Sequence, residues 1–116
     1  LVKEVLCNMA LHEMNFTLHA DGEIETIPRD WSHTGVVGSG DMEILMKHAD
    51  LSGKVEVKIV TPVTGFDHVW KMVLEKFVRE AKTGDLKIEI NDNNATPFIV
   101  SMRLKQALIE AKEGIR

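Results

Sequence analysis

Met14, Phe16 and Leu18 alternate with Asn15, Thr17 and His19, the two-residue period of a strand with one buried face. Asp21-Gly22 then signals a turn, Ile24 and Ile27 suggest a short edge strand, and Pro28 stops it. Val36 and Val37 lead into Gly38-Ser39-Gly40-Asp41, and Met42 to Met46 lead away, which predicts a hairpin or a strand–loop–strand corner. After a turn at Asp50 to Gly53, Val55, Val57 and Ile59 share one face of a further strand.

The period then changes. Val69, Trp70, Val73, Leu74, Phe77, Val78 and Ala81 recur at three- and four-residue spacing, the apolar stripe of an amphipathic helix. Asp67 is the expected N-cap, Arg79 and Lys82 suit the negative end of the dipole, and Gly84 is the expected stop. Leu86 to Ile90 alternate as another strand, and Asn91 to Ala95 read as a loop. Thr96 then caps a second helix with Pro97 at its first position, where a missing N–H costs nothing. Val100, Leu104, Ala107, Leu108 and Ala111 form its stripe, and Gly114 closes it.

Strands in succession, then helix, strand and helix, predict an α+β fold: a single mostly antiparallel sheet of four to five strands with two helices on one face. A crossover through the first helix places residues 86–90 parallel to residues 55–60. Residues 1–13 are expected to be an N-terminal extension, a short helix or disordered, with Val2, Val5, Leu6 and Met9 at helical spacing. Residues 14–116 are expected to form a single domain.

Composition narrows the function classes. The longest apolar runs are a few residues, far short of the roughly 20 that cross a bilayer, so no membrane span is expected. The 14 Lys and Arg against 18 Asp and Glu give a net charge of −4, which argues against nucleic acid as a partner. Cys7 is the single cysteine; it forms no internal disulfide, reads as an inert thiol and points to a cytoplasmic home.

His12, His19, His33, His48 and His68 show no metal-ligand spacing, so they read as surface or edge residues and no metal is expected. Asp41 and Glu43 can share one face of a strand as a carboxylate pair, although charges at a turn ordinarily face water. Asn94-Ala95-Thr96 matches a glycosylation acceptor, which a cytoplasmic chain would never present to that machinery.

Gly38-Ser39-Gly40 leaves two readings. The segment lacks the Lys-Ser/Thr ending of a phosphate loop, and its glycines are adjacent to the serine rather than two residues away as in a nucleophile elbow. One reading is a turn in which the glycines supply positive φ. The other is an acceptor serine, stripped of neighbouring side chains so that another enzyme can modify it. A nucleophile would need a buried base and an oxyanion hole, whereas an acceptor needs only access. Asp41 either shapes this turn by bonding to its own backbone or meets the modifying enzyme.

Three segments carry a family resemblance. "GVVGSGDMEIL" resembles the segment around the modified serine in the acyl carrier (delta) subunit of malonate decarboxylase. "LKIEINDNNATPFIVSMRLKQAL" resembles the C-terminal strand–loop–helix of that subunit, and "TGFDHVWKMVLEKF" its central helix. The likeness runs from about Met14 to Ala111, and its "IND…ATP…RL" pattern together with the serine segment is specific. Asn93, Asn94 and Phe98 depart from the family pattern and are not expected to touch the serine loop.

The resemblance implies a non-catalytic acyl carrier subunit in the cytoplasm. Ser39 would be the attachment point, with Gly38, Gly40 and Asp41 shaping the loop around it. The implied cofactor is 2'-(5''-phosphoribosyl)-3'-dephospho-CoA, a phosphopantetheine-like prosthetic group joined to Ser39 through a phosphodiester. Its thiol would carry acetyl and malonyl thioesters while partner subunits exchange and decarboxylate them. The implied partners are the acyl transferase and decarboxylase subunits, the phosphoribosyl-dephospho-CoA transferase and a malonyl-loading transferase. The acyl carrier (gamma) subunit of citrate lyase, which uses a very similar arm, is the nearest alternative. A structural adaptor with an inert turn is a second, and a Ser39 hydrolase a third, although no histidine is placed by sequence to serve its base.

Overall fold

A computed structural model of the chain describes residues 11–28 and 31–113. The readings of Cys7, of the helical spacing over Val2 to Met9 and of Gly114 lie outside the described residues. Five strands, β1 (His12–Leu18), β2 (Trp31–Gly35), β3 (Asp41–His48), β4 (Val55–Thr61) and β5 (Leu86–Asn93), form one sheet in the order β1-β4-β5-β3-β2. Helices α1 (Asp67–Ala81) and α2 (Pro97–Glu113) complete the α+β fold. Only β4 and β5 run parallel, joined through α1 as expected; every other pair is antiparallel.

The strand period decides which face is covered. Met42, Ile44 and Met46 of β3, Val55 and Ile59 of β4, and Leu86 and Ile88 of β5 are fully buried on one face. The two helices lie against that face and bury the expected stripes, led by Trp70, Leu74 and Val78 of α1 and Leu104, Ala107 and Ala111 of α2. The other face is polar, with Lys47 3.5 Å from Glu89 and Lys58 4.0 Å from Glu13 across neighbouring strands. Exposed pairs of this kind contribute at most about 1 kcal/mol each. No described helix is long and apolar enough to cross a membrane.

Several local expectations are corrected. β1 starts at His12, inside the segment expected to be an extension. Ile24 to Ile27 form no strand: Glu25 makes an isolated bridge to Thr83 while Ile27 is buried in the core. That segment is held by the turn after α1, where Glu25 N–H donates to the Lys82 carbonyl at 2.9 Å, rather than by a sheet edge. Asp67 is the first helical residue rather than the N-cap, which is Phe66 without a side-chain bond. The Asp67 carboxylate lies instead 3.4 Å from His12 Nε2.

Lys82, not Gly84, takes the left-handed cap of α1, with φ 51°. Gly84 is a glycine because a Cβ there would lie 2.3 Å from the Gly53 carbonyl oxygen.

The registers bring one set of chain ends together. His12 pairs with Thr61, Gly35 with Glu43 and Asp41 with Asn93. The starts of β1 and β3, the ends of β2, β4 and β5, and the first turns of both helices therefore share one end of the sheet. Asp92 ties two loops there. Its buried carboxylate accepts hydrogen bonds from Thr61 Oγ1 at 2.8 Å and from the N–H groups of Asn94 and Ala95 at 3.1 and 3.0 Å.

Gly84→Ala tests the close approach. Overpacking against a backbone oxygen should cost about 1–3 kcal/mol in urea unfolding. A glycine outside the left-handed region that merely stopped a helix would instead accept alanine with a gain of roughly 0.4–1 kcal/mol.

Candidate functional site

The serine loop begins where β2 must leave the sheet. Gly35 has φ 87°, and a Cβ there would stand 2.3 Å from the Met42 carbonyl oxygen, so only glycine fits. The chain turns outward, leaving Val36 and Val37 outside the strand with 61% and 39% of their surfaces exposed. Asp41 N–H then donates to the Gly38 carbonyl at 3.0 Å, closing a β-turn with Ser39 and Gly40 at its centre. Gly40 has φ 75°, the left-handed conformation that a type II turn requires at its third position. Gly38 does not, so the expectation that both glycines supply positive φ holds for Gly40 alone.

Among the described residues the turn is anchored on one side only. Gly40 N–H donates to the Asn93 carbonyl at 2.8 Å, fixing the returning arm to the end of β5, so Asn93, expected to stand clear of the serine loop, is bonded to it through its backbone. Arg103 of α2 grips the next residue with a two-pronged pair: Nε donates to Asp41 Oδ1 at 2.9 Å and Nη2 to Oδ2 at 2.6 Å. Asp41 Oδ1 also accepts the Met42 N–H at 2.7 Å. Nη1 of the same guanidinium donates to Gln106 Oε1 at 2.9 Å, which fixes its plane. Parallel N–H···O bonds of this kind need the planar fork of arginine, which a lysine cannot supply.

Ser39 stands at the unanchored tip. It is exposed, and among the described residues its hydroxyl makes no hydrogen bond. A Cβ built on Gly40 meets nothing within 4 Å, and one on Gly38 meets only Val36 Cγ2 at 3.9 Å. Both flanks of the serine are therefore open space.

The charges divide in a way the sequence did not show. Asp41 and Glu43 do not act as a carboxylate pair. Glu43 accepts from His33 Nε2 at 2.8 Å and from Asn91 Nδ2 at 2.9 Å across the open face of the sheet. Its pKa is lowered, mainly by the His33 hydrogen bond, against a rise from burial. Asp41 is lowered chiefly by the Arg103 hydrogen bond, then by the Met42 N–H, and Arg103 is raised in return.

The histidines stand apart from Ser39. His12 faces Asp67 and His33 faces Glu43, while His19, His48 and His68 are exposed. Among the described residues no three His, Cys, Asp or Glu side chains gather as a metal site. Ser39 has no base within hydrogen-bond reach in the described part of the chain, so nothing described there activates its hydroxyl as a nucleophile.

Arg103 was missed by motif reasoning. Its partner is 62 positions away, and an arginine near the middle of an amphipathic helix ordinarily reads as solvated. The available signal was its place in the "IND…ATP…RL" segment, whose aspartate, Asp92, also proves to be a buried tie between loops.

The lowered pKa of Asp41 gives a pH test. Its contribution to stability is complete above its ordinary value of 3.8 and is lost as the pH falls through the lower folded value. Arg103→Gln should melt below the unsubstituted chain at neutral pH, and the two should converge in acid below that value. Carboxyl-carbon NMR should show Asp41 titrating later on acidification in the unsubstituted chain than in Arg103→Gln.

Comparison with known proteins agrees with this geometry. Residues 30–111 match the family model described as malonate decarboxylase delta subunit (MdcD). The malonate decarboxylase acyl carrier protein of Malonomonas rubra is 52% identical over 105 residues, covering 90% of this chain and 92% of that protein. The corresponding protein of Acinetobacter calcoaceticus is 38% identical over 90 residues, covering 74% of this chain and 88% of that one. A chain of a Pseudomonas malonate decarboxylase hetero-tetramer, solved in complex with malonate, superposes with a TM-score of 0.74 at 29% identity. That superposition covers 86% of this chain and 98% of the other.

Proposed function

The chain belongs to the malonate decarboxylase delta-subunit family of acyl carrier proteins, and on that premise we propose that Ser39 is the serine joined by a phosphodiester to 2'-(5''-phosphoribosyl)-3'-dephospho-CoA. The chain is a carrier subunit, with no catalytic activity of its own, in a complex with other subunits. The observation that carries the assignment of Ser39 is its bare hydroxyl, at the tip of a turn whose flanks are empty.

The residues present fit such a group. A phosphodiester on Oγ would project from the tip into open space, where neither Gly38 nor Gly40 carries a side chain to obstruct it. With no hydrogen-bonded base among the described residues, the hydroxyl proton must be taken by the attaching transferase. When bound, the arm supplies a thioester whose carbonyl can take up the electrons left as carbon dioxide departs.

This chain's own task is mechanical. The Gly40–Asn93 bond and the Asp41–Arg103 pair hold the base of the tether to the sheet and to α2, so that motion begins beyond Ser39. A tethered thioester meets each active site at a high local concentration instead of by free diffusion. The exposed Val36 and Val37 beside the turn give incoming enzymes apolar surface next to the serine. The acyl transferase and decarboxylase subunits, the attaching transferase and the malonyl-loading transferase are the partners proposed for this end of the molecule.

Intact mass tests the assignment. The chain produced with its attaching transferase should gain one arm, and Ser39→Ala should gain none; full loading of Ser39→Ala would refute the site. Gly38→Ala separates access from folding. The fold makes no demand for glycine at 38, so stability should stay within about 0.5 kcal/mol. Loading should nevertheless slow by roughly tenfold, the equivalent of about 1.4 kcal/mol in the transition state. An unaltered loading rate would show that the bare flank is not used.

A further inference from the structure

We propose that the cavity between the first turns of α1 and α2 shelters the neutral, acetylated end of the arm between transfers. This inference rests on the assignment of Ser39 above and adds a second site on the same chain.

Position is the first argument. The cavity has a volume of about 270 Å³ and is walled by Val63, Phe66, Val69, Trp70, Val73 and Val100. It lies past the C-terminal ends of the parallel strands β4 and β5, where loops leave the sheet and helices begin, a usual place for a ligand crevice. Asn94 is part of its lining, and Asn94 follows the residue whose carbonyl holds Gly40 N–H at 2.8 Å. With consecutive Cα atoms about 3.8 Å apart, Ser39 stands within roughly 15 Å of that lining. The tether starts beside the cavity.

Size and surface indicate what enters. Complete small-molecule sites usually run from about 300 Å³ upward, so this cavity suits the end of a ligand held elsewhere rather than a whole one. Polar lining is confined to the side formed by Asp92, Asn94 and Thr96, so water against the valine, phenylalanine and tryptophan walls finds few partners, and an apolar group gains by displacing it there. An acetyl thioester with its adjoining methylene groups is such a group.

Charge separates the two cargoes. Among the described residues the one ionisable group in the lining is Asp92, 6% exposed, and both its oxygens are already taken by Thr61, Asn94 and Ala95. A malonyl carboxylate would come to rest near a buried like charge, with no side-chain cation among the described lining residues to meet it. The helix N-termini would favour an anion, but Asp67 already sits in the first turn of α1, and Thr96 Oγ1 accepts the Ile99 N–H of α2 at 3.3 Å. The cavity therefore holds the acetyl form away from water and leaves the malonyl form outside.

The full chain carrying Trp31→Phe tests this, because Trp70 in the cavity wall is then the single tryptophan. The protein is loaded and acetylated by its own enzymes and checked by intact mass. Acetylation should shift Trp70 emission, and hydroxylamine should cleave the acetyl thioester at least about fivefold more slowly than it cleaves free acetyl-dephospho-CoA. The malonyl form should react at the rate of free malonyl-dephospho-CoA. Val73→Phe or Val69→Phe, each confirmed folded by circular dichroism, should restore the free rate for acetyl without changing the mass.

Full loading with no protection overturns the shelter and leaves Ser39 standing, as does protection that survives both filled variants. Failure to gain mass at Ser39 overturns the attachment and the shelter together. Trp70 emission that responds to deletion of residues 1–10 but not to acetylation assigns the cavity to that segment and overturns the proposal.

Discussion

The Asp41–Arg103 pair is the interaction on which the serine end of the sheet depends, because it gives an exposed loop a fixed base. The two parallel hydrogen bonds join the first residue of β3 to α2, with the side chains only 24% and 19% exposed. Without them the Gly38–Asp41 turn would be held through Gly40 and the ends of its two strands. With them the loop has a fixed footing and a free tip. A fully packed serine would be unreachable, and an unanchored loop would add its own disorder to that of the arm.

The same end of the sheet is organised by a second carboxylate. Asp92 gathers Thr61 of β4 and the loop that opens α2, and these hydrogen bonds hold the crevice between the helix starts in shape. Buried charge is tolerated there because each oxygen has a donor. Asp41 shapes the serine loop, and Asp92 shapes the recess beside it. The two strands that carry them are neighbours, and Asp41 is paired with the residue after Asp92.

Glycine has three different duties in this small region. At Gly35 the backbone passes too close to Met42 for any Cβ, and at Gly40 the turn demands a left-handed residue. At Gly38 the fold makes neither demand. The missing side chain there leaves the flank of Ser39 open, which suits the attachment proposed at that serine.

The sequence by itself determined the layers of this protein: alternation at Val55, Val57 and Ile59 and the stripe from Val69 to Ala81 oblige one sheet face to meet two helices. It also located the serine turn and the Thr96–Pro97 helix start, because turn chemistry and capping act over a few residues. Tertiary structure alone decided what depends on distant partners. Ile27 went into the core instead of an edge strand, and Lys82 rather than Gly84 took the left-handed cap, since Gly84 was needed for its approach to Gly53. Asp41 found Arg103 across 62 positions, and Glu43 found His33 and Asn91 instead of Asp41. Local patterns are fixed by the geometry of neighbouring residues, whereas ion pairs, close backbone contacts and cavities exist only once separate elements pack, and no short-range signal encodes which of them will meet.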